Sequence, residues 1–180
     1  MPAPILEAEP ERLAELRSYR VLDTRPEQMF DDITFLASEI FETPIALLSL
    51  VDHDRQWFKS SVGLDVPETH RDLAFCAHAI WDPTEVMVVE DAAYDPRFAH
   101  NPLVVDDPSI RFYAGAPLLT STGNALGTLC VIDRVSRQLS SEQESALRAL
   151  ARLTMGQLDM RREILELRDE LEGTGRTQAA

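Results

Sequence analysis

Apolar and polar residues recur along this chain with two different periods, and the switches between them mark out helices at both ends with strands between. Residues 9–20, EPERLAELRSYR, carry Leu13 and Leu16 at helical spacing. Residues 24–27, TRPE, have the form of a capping box, with Pro26 tolerated in a first helical turn. From there to about residue 42 the apolar set Phe30, Ile33, Leu36, Ala37, Ile40 and Phe41 makes one stripe. It predicts an amphipathic helix with one face on a core and the other in water.

The middle of the chain reads as strands. Residues 44–52, PIALLSLVD, are apolar at both alternating positions, as in a strand covered on both sides. The turn residues DHDR then lead into QWFKSSVG, which predicts a hairpin. VMVVED (86–91) is a further short strand. The stretch AAYDPRFAHNPLVVDDPSI, broken by three prolines, is too long for a plain connection and predicts a folded-back wall with short helical turns beside a site. RFYAGAPLLTSTGNALGTLCVID then gives two strands around TSTGN, a hairpin signal. Five strands joined mostly by short turns and flanked by helices imply an α+β layer architecture with an antiparallel sheet.

SSEQ (140–143) is a second capping box, and the helix after it is predicted to reach about residue 172. It has two apolar stripes. Leu147, Ala151, Thr154, Leu158 and Leu165 lie along one side. Leu150, Leu153, Gln157, Met160, Ile164, Leu167 and Leu171 step by three and four along another, as a heptad seam. One stripe is enough to dock a helix on its own domain; a second one wants a partner helix, and a homodimer is the preferred expectation. A helix of thirty-odd residues is about 45 Å long, more than one such domain needs. The chain is thus divided into an N-terminal helical segment (1–20), a core (21–137), a long dimerisation or signalling helix (138–172) and a disordered tail, GTGRTQAA (173–180).

Composition narrows the partners. The chain has 180 residues, 44% of them hydrophobic and 27% charged, a globular profile with enough length for a real core. Asp and Glu total 31 against 17 Lys and Arg, a formal net charge of -14 that repels nucleic-acid phosphates and anionic lipid head groups. No apolar run approaches the roughly 20 residues of a membrane helix, and MPAPILEAEPERL lacks the regions of a signal peptide. The expectation is a cytoplasmic protein with no nucleic-acid or membrane partner. Its two cysteines are too few for a disulfide framework.

The order of these pieces resembles the GAF domain family, the small sensory domains of bacterial signalling proteins, in particular the subset found alone or ahead of histidine kinase and cyclase modules. The resemblance rests on VLDTRPEQMFDDIT (21–34), PIALLSLVDHDRQWFKSSVGL (44–64), FCAHAI (75–80), VVEDAAYDPRFAHNPLV (88–104), IRFYAGAPL (110–118) and LGTLCVID (126–133), in that order. It implies a six-stranded antiparallel sheet with the first, second and last helices on one face. Loops and short helices around 65–108 would roof the other face over a small-ligand pocket. The Asn-Lys-Phe-Asp-Glu signature of cyclic-nucleotide-binding members is not recognisable. Cys76 precedes Ala77 rather than the His of bilin-attaching members. Both departures argue against those two cofactors, and the ligand stays unknown. No kinase, cyclase or phosphodiesterase signature follows, so the output is expected to lie in a partner such as a histidine kinase or a cyclase.

Three chemistries compete for the residues around FCAHAI. A nucleophilic cysteine needs a lowered pKa, and Cys76 has a candidate helix start, with Asp72 as a candidate cap, and His78 two residues on. Positions i and i+2 of a helix do not face each other, however. Some GAF-type domains reduce free methionine sulfoxide with pocket cysteines. Cys130, expected on the same side of its strand as Leu126, Thr128 and Ile132, is the available second thiol for that role. A metal reading recruits His78, His100, Asp91 and Asp95, at spacings that fit no compact zinc motif. Asp91 and Asp95 suit Asx-turns instead, with Arg97 or Arg111 as an ion-pair partner.

The third chemistry is ligand binding. Arg111 and Tyr113 project from one face of their strand, and if that face is roofed they look into the cavity with Phe75, His78, Phe98 and Thr128. Such a lining suits a small anionic or aromatic molecule. The preferred reading is a non-enzymatic, dimeric sensor of small molecules with Phe75, Cys76, His78, Asp91, Asp95, Phe98, Arg111, Tyr113, Thr128 and Cys130 at its pocket. The alternatives are a ligand-free dimerisation or protein-interaction module and a thiol-dependent reductase.

Overall fold

Ile45–Val51, IALLSLV, lies buried along its whole length because both of its faces are covered. It is β1, at the middle of a computed structural model that describes residues 3–178, with side chains described as far as Glu172. The other strands are β2 (Arg55–Val62), β3 (Glu68–His70), β4 (Met87–Val89), β5 (Phe112–Leu119) and β6 (Ala125–Asp133). They form one antiparallel sheet in the order β3-β2-β1-β6-β5-β4. The helices are α1 (Glu9–Ser18), α2 (Gln28–Phe41), α3 (Phe75–Ala79), α4 (Pro102–Val105) and α5 (Ser141–Gln178), with a 3₁₀ turn at Arg71–Leu73. The architecture is the expected α+β one with six strands. β3 was not legible in the residue pattern, because ETH has no alternation and owes its strand form to pairing with Arg55–Trp57.

The sheet separates two apolar clusters. Leu48 and Leu50 of β1 join Phe30 and Ala37 of α2 and Leu147 and Leu158 of α5 on one side. Ile45, Leu47 and Val51 join Phe75, Phe98 and Tyr113 on the other, under α3, α4 and their loops. A bulge modifies this alternation in β6. Pro117 and Leu119 of β5 face Thr128 and Ala125, so β6 holds one extra residue there. Leu126 consequently packs on the helix side while Cys130 and Ile132 pack on the roof side, which corrects the expectation that all three share a face. Gly127 sits in this bulge because a Cβ there would come within 1.9 Å of the Ser49 carbonyl oxygen.

Local signals were realised unevenly. Ser140 and Gln143 form the capping box of α5 reciprocally, through bonds of 3.2 and 3.0 Å. TRPE does not cap α2. The Glu27 carboxylate instead accepts from the buried Lys59 ammonium at 2.7 Å and from Arg161 at 2.8 Å, and the Thr24 hydroxyl donates to the Val21 carbonyl. On α2, Phe30, Ile33, Ala37 and Phe41 are buried, but Leu36 and Ile40 are exposed, against expectation. α5 runs to Gln178, past the predicted end at 172. The tail expected over 173–180 falls on residues whose side chains lie outside the described ones.

α1 crosses the end of the sheet. Its Leu16 and the following Tyr19 join the helix-side cluster, while Leu6 before it packs on the roof side. Glu15 holds the β5–β6 turn, accepting from Thr122 and Asn124 at 2.6 and 2.7 Å. Tyr19 donates to Asp159 of α5 at 2.7 Å.

Candidate functional site

Roof and sheet do not close completely on each other. A cavity of about 220 Å³ lies between them. Its floor comes from Leu47, Gln56, Phe58, Tyr113 and Ile132, and its walls from Leu64, Phe75, Cys76, Leu103 and Ile110. Val66, Glu68 and Asp107 are the lining residues exposed to solvent, so the mouth lies between the β2–β3 loop and the α4–β5 loop. The lining is mostly apolar, with an amide, a phenol, a thiol and a threonine hydroxyl as polar points inside and two carboxylates at the mouth, and among the described residues it contains no lysine, arginine or histidine.

Beside the cavity, two thiols meet. α3 carries Cys76 down onto β6, and its Sγ lies 3.8 Å from that of Cys130; both cysteines are buried and free. The Tyr113 hydroxyl donates to Cys76 Sγ at 3.5 Å and lies 3.4 Å from Thr128 Oγ1. Gly115 makes that phenol position possible, since a Cβ there would lie 2.1 Å from the Tyr113 oxygen. Burial works against ionising Cys76. Hydrogen bonds from Cys130, Ser49, Thr128 and Tyr113 outweigh it and lower the thiol pKa. For Cys130 burial acts together with the neighbouring Cys76, and its pKa is pushed well above the ordinary range. Burial likewise holds the Tyr113 phenol protonated, as a donor.

The remaining predicted positions separate by role. Phe75 stacks on Phe98 at 3.9 Å between ring centroids, and His78 meets Phe98 edge-on at 4.8 Å; neither Phe98 nor His78 lines the cavity. α3 is helical through both Cys76 and His78, so the imidazole faces away from the thiols, toward Phe98 and Asp95. Asp72 does not cap α3; it lies within the preceding 3₁₀ turn, and Ala74 is the N-cap. Asp91 accepts from the Ala93 amide at 3.0 Å and Asp95 from the Arg97 amide at 2.9 Å, both as Asx-turns, and Arg97 also pairs with Asp95 at 2.7 Å. Among the described residues no three of His, Cys, Asp and Glu come together to hold a metal ion.

Arg111 does not enter the cavity. Its guanidinium donates to the carbonyls of Val104, Ser109 and Ile110 at 2.9, 3.4 and 3.0 Å, which ties the α4–β5 loop to the sheet. Of the predicted set, Phe75, Cys76 and Tyr113 line the cavity, and Thr128 and Cys130 back it. Ser49, Gln56 and Thr69 were not predicted. Ser49 had a signal, as the single polar residue inside IALLSLV; it pairs with Phe58, next to the bulge that Lys59 makes in β2, and donates to Gln56 at 3.3 Å. Gln56 in turn donates to Thr69 of β3 at 2.9 Å.

A helix-backed antiparallel sheet with a roof of short helices and loops on its other face is the layout that the resemblance to GAF domains implied. The GAF domain model matches residues 25–158, and the chain belongs to that family. Over 156 residues it is 46% identical to a cyclic di-GMP phosphodiesterase of Pseudomonas aeruginosa, a match covering 86% of this chain and 26% of that protein. The chain thus spans about a quarter of this relative's length. Among solved structures it is similar to the GAF domain of an Acinetobacter phosphoenolpyruvate-protein phosphotransferase, with TM-score 0.62, 17% identity, and coverage of 87% of this chain and 98% of that one. It is also similar to a free methionine-R-sulfoxide reductase of Neisseria meningitidis solved with its substrate, with TM-score 0.62, 19% identity, and coverage of 86% and 90%. These structural likenesses establish the fold. GAF domains are signalling and ligand-binding domains, and the relatives are consistent with a regulatory role here. Among the described residues no helix is long and apolar enough to cross a membrane.

Proposed function

We propose that this domain is a small-molecule sensor that dimerises through α2 and α5 and passes the state of its cavity to an output module through α5. The observation that carries the reading is the cavity, enclosed by apolar side chains with a few convergent polar groups. At about 220 Å³ it is smaller than the roughly 300–1,000 Å³ of drug-sized sites, so it suits a small metabolite and is too small for a cyclic dinucleotide. With no lysine, arginine or histidine among the described lining residues, the Asp107 carboxylate at the mouth and that of Glu68 already paired with Arg55, the ligand is aromatic or aliphatic without net negative charge. The aromatic half of the expectation is retained. The anionic half rested on Arg111, whose guanidinium is occupied elsewhere.

The dimer reading rests on the exposed apolar surface. Leu153, Met160, Ile164, Leu167 and Leu171 form the outward seam of α5, 44–75% exposed, and Phe35, Leu36 and Ile40 of α2 add 46–55% exposed positions. A groove lined by Met29, Met160 and Ile164 joins the two helices. Two copies pairing these stripes would bury them in a bundle. A ligand that prefers one roof arrangement then shifts the register or angle of that bundle. The likeness to part of a cyclic di-GMP phosphodiesterase favours, as the output partner, a module that acts on a cyclic dinucleotide over a histidine kinase.

Native mass spectrometry of protein purified without added ligand tests both parts. A dimer mass, with a co-purified or titratable small apolar molecule that a cavity-filling Leu47→Trp variant no longer holds, is the expected result. A dimer that binds no molecule of a metabolite library would favour the ligand-free module instead. Turnover of free methionine sulfoxide that is lost in Cys76→Ser would favour the reductase.

A further inference from the structure

A pair of thiols lies among buried hydroxyls, and one of these, that of Tyr113, donates to Cys76 Sγ at 3.5 Å. Ser49, Thr128 and Tyr113 have no exposed surface, and Cys76 and Cys130 have 1% and 0%. A thiol sulfur is a weak acceptor. A hydroxyl donor aimed at it stabilises a thiolate or a sulfenate more than a thiol, so the Tyr113 bond favours an ionised or oxidised sulfur at Cys76. Cys76 also lines the cavity, whereas Cys130 lies behind it at 3.8 Å. One thiol therefore has a route from solvent, and the other stands within reach of it.

We propose that Cys76 and Cys130 are a peroxide-responsive dithiol, in which a small hydroperoxide entering the cavity converts the pair to a reversible disulfide. The Cys76 thiolate attacks the terminal, hydrogen-bearing oxygen of the hydroperoxide; the S–O bond forms, the O–O bond breaks, the alkoxide or hydroxide leaves as alcohol or water with the proton the thiol gave up, and Cys76 becomes a sulfenic acid. Cys130 then attacks the Cys76 sulfur; the S–S bond forms, the S–O bond breaks, and the hydroxyl leaves with the Cys130 proton as water. Two thiols lose two electrons and two protons, and the hydroperoxide takes them up as alcohol and water. A dithiol reductant reverses the step. Closing the sulfurs from 3.8 Å to the roughly 2.05 Å of a disulfide draws α3 toward β6. That movement carries Phe75, which lines the cavity and stacks on Phe98. The cavity serves here as a route for oxidant, so the inference stands whether or not the cavity also holds a metabolite.

The test treats the full reduced chain with up to tenfold hydrogen peroxide, alkylates the remaining thiols, and reads intact mass and non-reducing peptide maps. The expected product has lost two hydrogens, links the Cys76 and Cys130 peptides within one chain, and returns to the dithiol with dithiothreitol. In Cys130→Ser, and in Cys130→Ala as a second variant should the first fold poorly, dimedone should label Cys76 at least tenfold faster than it labels Cys130 in Cys76→Ser. Full alkylation of both thiols after peroxide treatment, a disulfide found only between chains, or equal labelling of the two cysteines would overturn the proposal.

Discussion

Glu9 Oε1 of α1 and Arg71 Nη1 beneath the roof lie 2.5 Å apart, with side chains 9% and 8% exposed. The same carboxylate holds Arg12 at 2.6 Å, so one buried anion serves two buried guanidiniums. Arg71 introduces the segment that carries Cys76, and α1 continues to Tyr19 on α5. The pair therefore joins the roof of the cavity to the helix side of the sheet.

Glu9→Gln should cost about 3 kcal/mol, because removing one partner of a buried pair leaves charge uncompensated. Two guanidiniums would be stranded, and one nitrogen of each, Arg12 Nη1 and Arg71 Nη2, is already buried without a partner among the described residues. Combining the change with Arg71→Met should recover part of the loss. Urea denaturation of the two variants at pH 7 measures both, and a Glu9→Gln midpoint equal to the unmodified chain's would refute the assignment.

Acid should release the same contact. Burial alone would raise the Glu9 carboxyl, but hydrogen bonds and charge from Arg12 and Arg71 lower it from 4.5 to about 2. A folded pKa below the unfolded one gives stability that is complete above the unfolded value and is lost as pH falls. The contribution should hold above pH 4.5 and decline toward pH 2. Melting curves across that window should fall more steeply for the unmodified chain than for Glu9→Gln, and parallel slopes would contradict the pairing.

Glycines on two strands should tolerate alanine unequally. At Gly127 the nearest atom to a new Cβ is the Ser49 carbonyl oxygen at 1.9 Å, part of the central β1–β6 pairing. At Gly115 it is the end of the Tyr113 side chain at 2.1 Å. Backbone in the middle of a sheet cannot move without breaking its ladder, whereas a phenol can tilt at an overpacking cost of about 1–3 kcal/mol. Gly127→Ala should be the more destabilising in urea, with Gly115→Ala mainly disturbing the thiol cluster. The reverse order would show that the bulge in β6 accommodates a side chain.

The seam of α5 should govern association without governing folding. Ile164→Glu with Leu167→Glu places charge on residues 44% and 52% exposed in the single chain. Sedimentation should report a change from dimer to monomer at micromolar concentration, with the circular dichroism of the folded domain kept. A dimer that survives both changes would locate the interface elsewhere.

Arg111 should act on the roof and not on ligand charge. Its guanidinium is bound to carbonyls of residues 104, 109 and 110. Arg111→Ala should raise amide exchange across the α4–β5 loop by tenfold or more, and ligand affinity should fall equally for neutral and charged ligands. A selective loss of anionic ligands would return Arg111 to the cavity.

The pattern of residues was sufficient for five of the six strands, the amphipathic α2, the capping box at Ser140 and the two-sided α5, because each follows from local spacing and burial. β3 was not legible, since three residues of no marked periodicity become a strand only by pairing with β2. Nor was the fate of TRPE, where Lys59 and Arg161, distant in sequence, outbid the local cap for Glu27. The faces of Leu36, Ile40 and Leu126 were misread for a related reason: a helix stripe wider than its contact and a bulge in the sheet are both set by neighbours.

At the site, the chain by itself determined that Arg111 and Tyr113 would share one face of their strand, because alternation follows from backbone geometry. It also determined that His78 could not serve Cys76 once the stretch was helical. That FCAHAI would border a pocket was what the resemblance implied, and that the Tyr113 face is the roofed one is seen in the tertiary structure. Only the tertiary structure decided that Cys130 comes within 3.8 Å of Cys76 and that Ser49 stands beside them, while Arg111 turns aside to bind carbonyls. Sequence spacing specifies which side of an element a residue occupies. Which residue it meets there depends on sheet order, bulges and the docking of α3, and those are settled by packing across the whole domain.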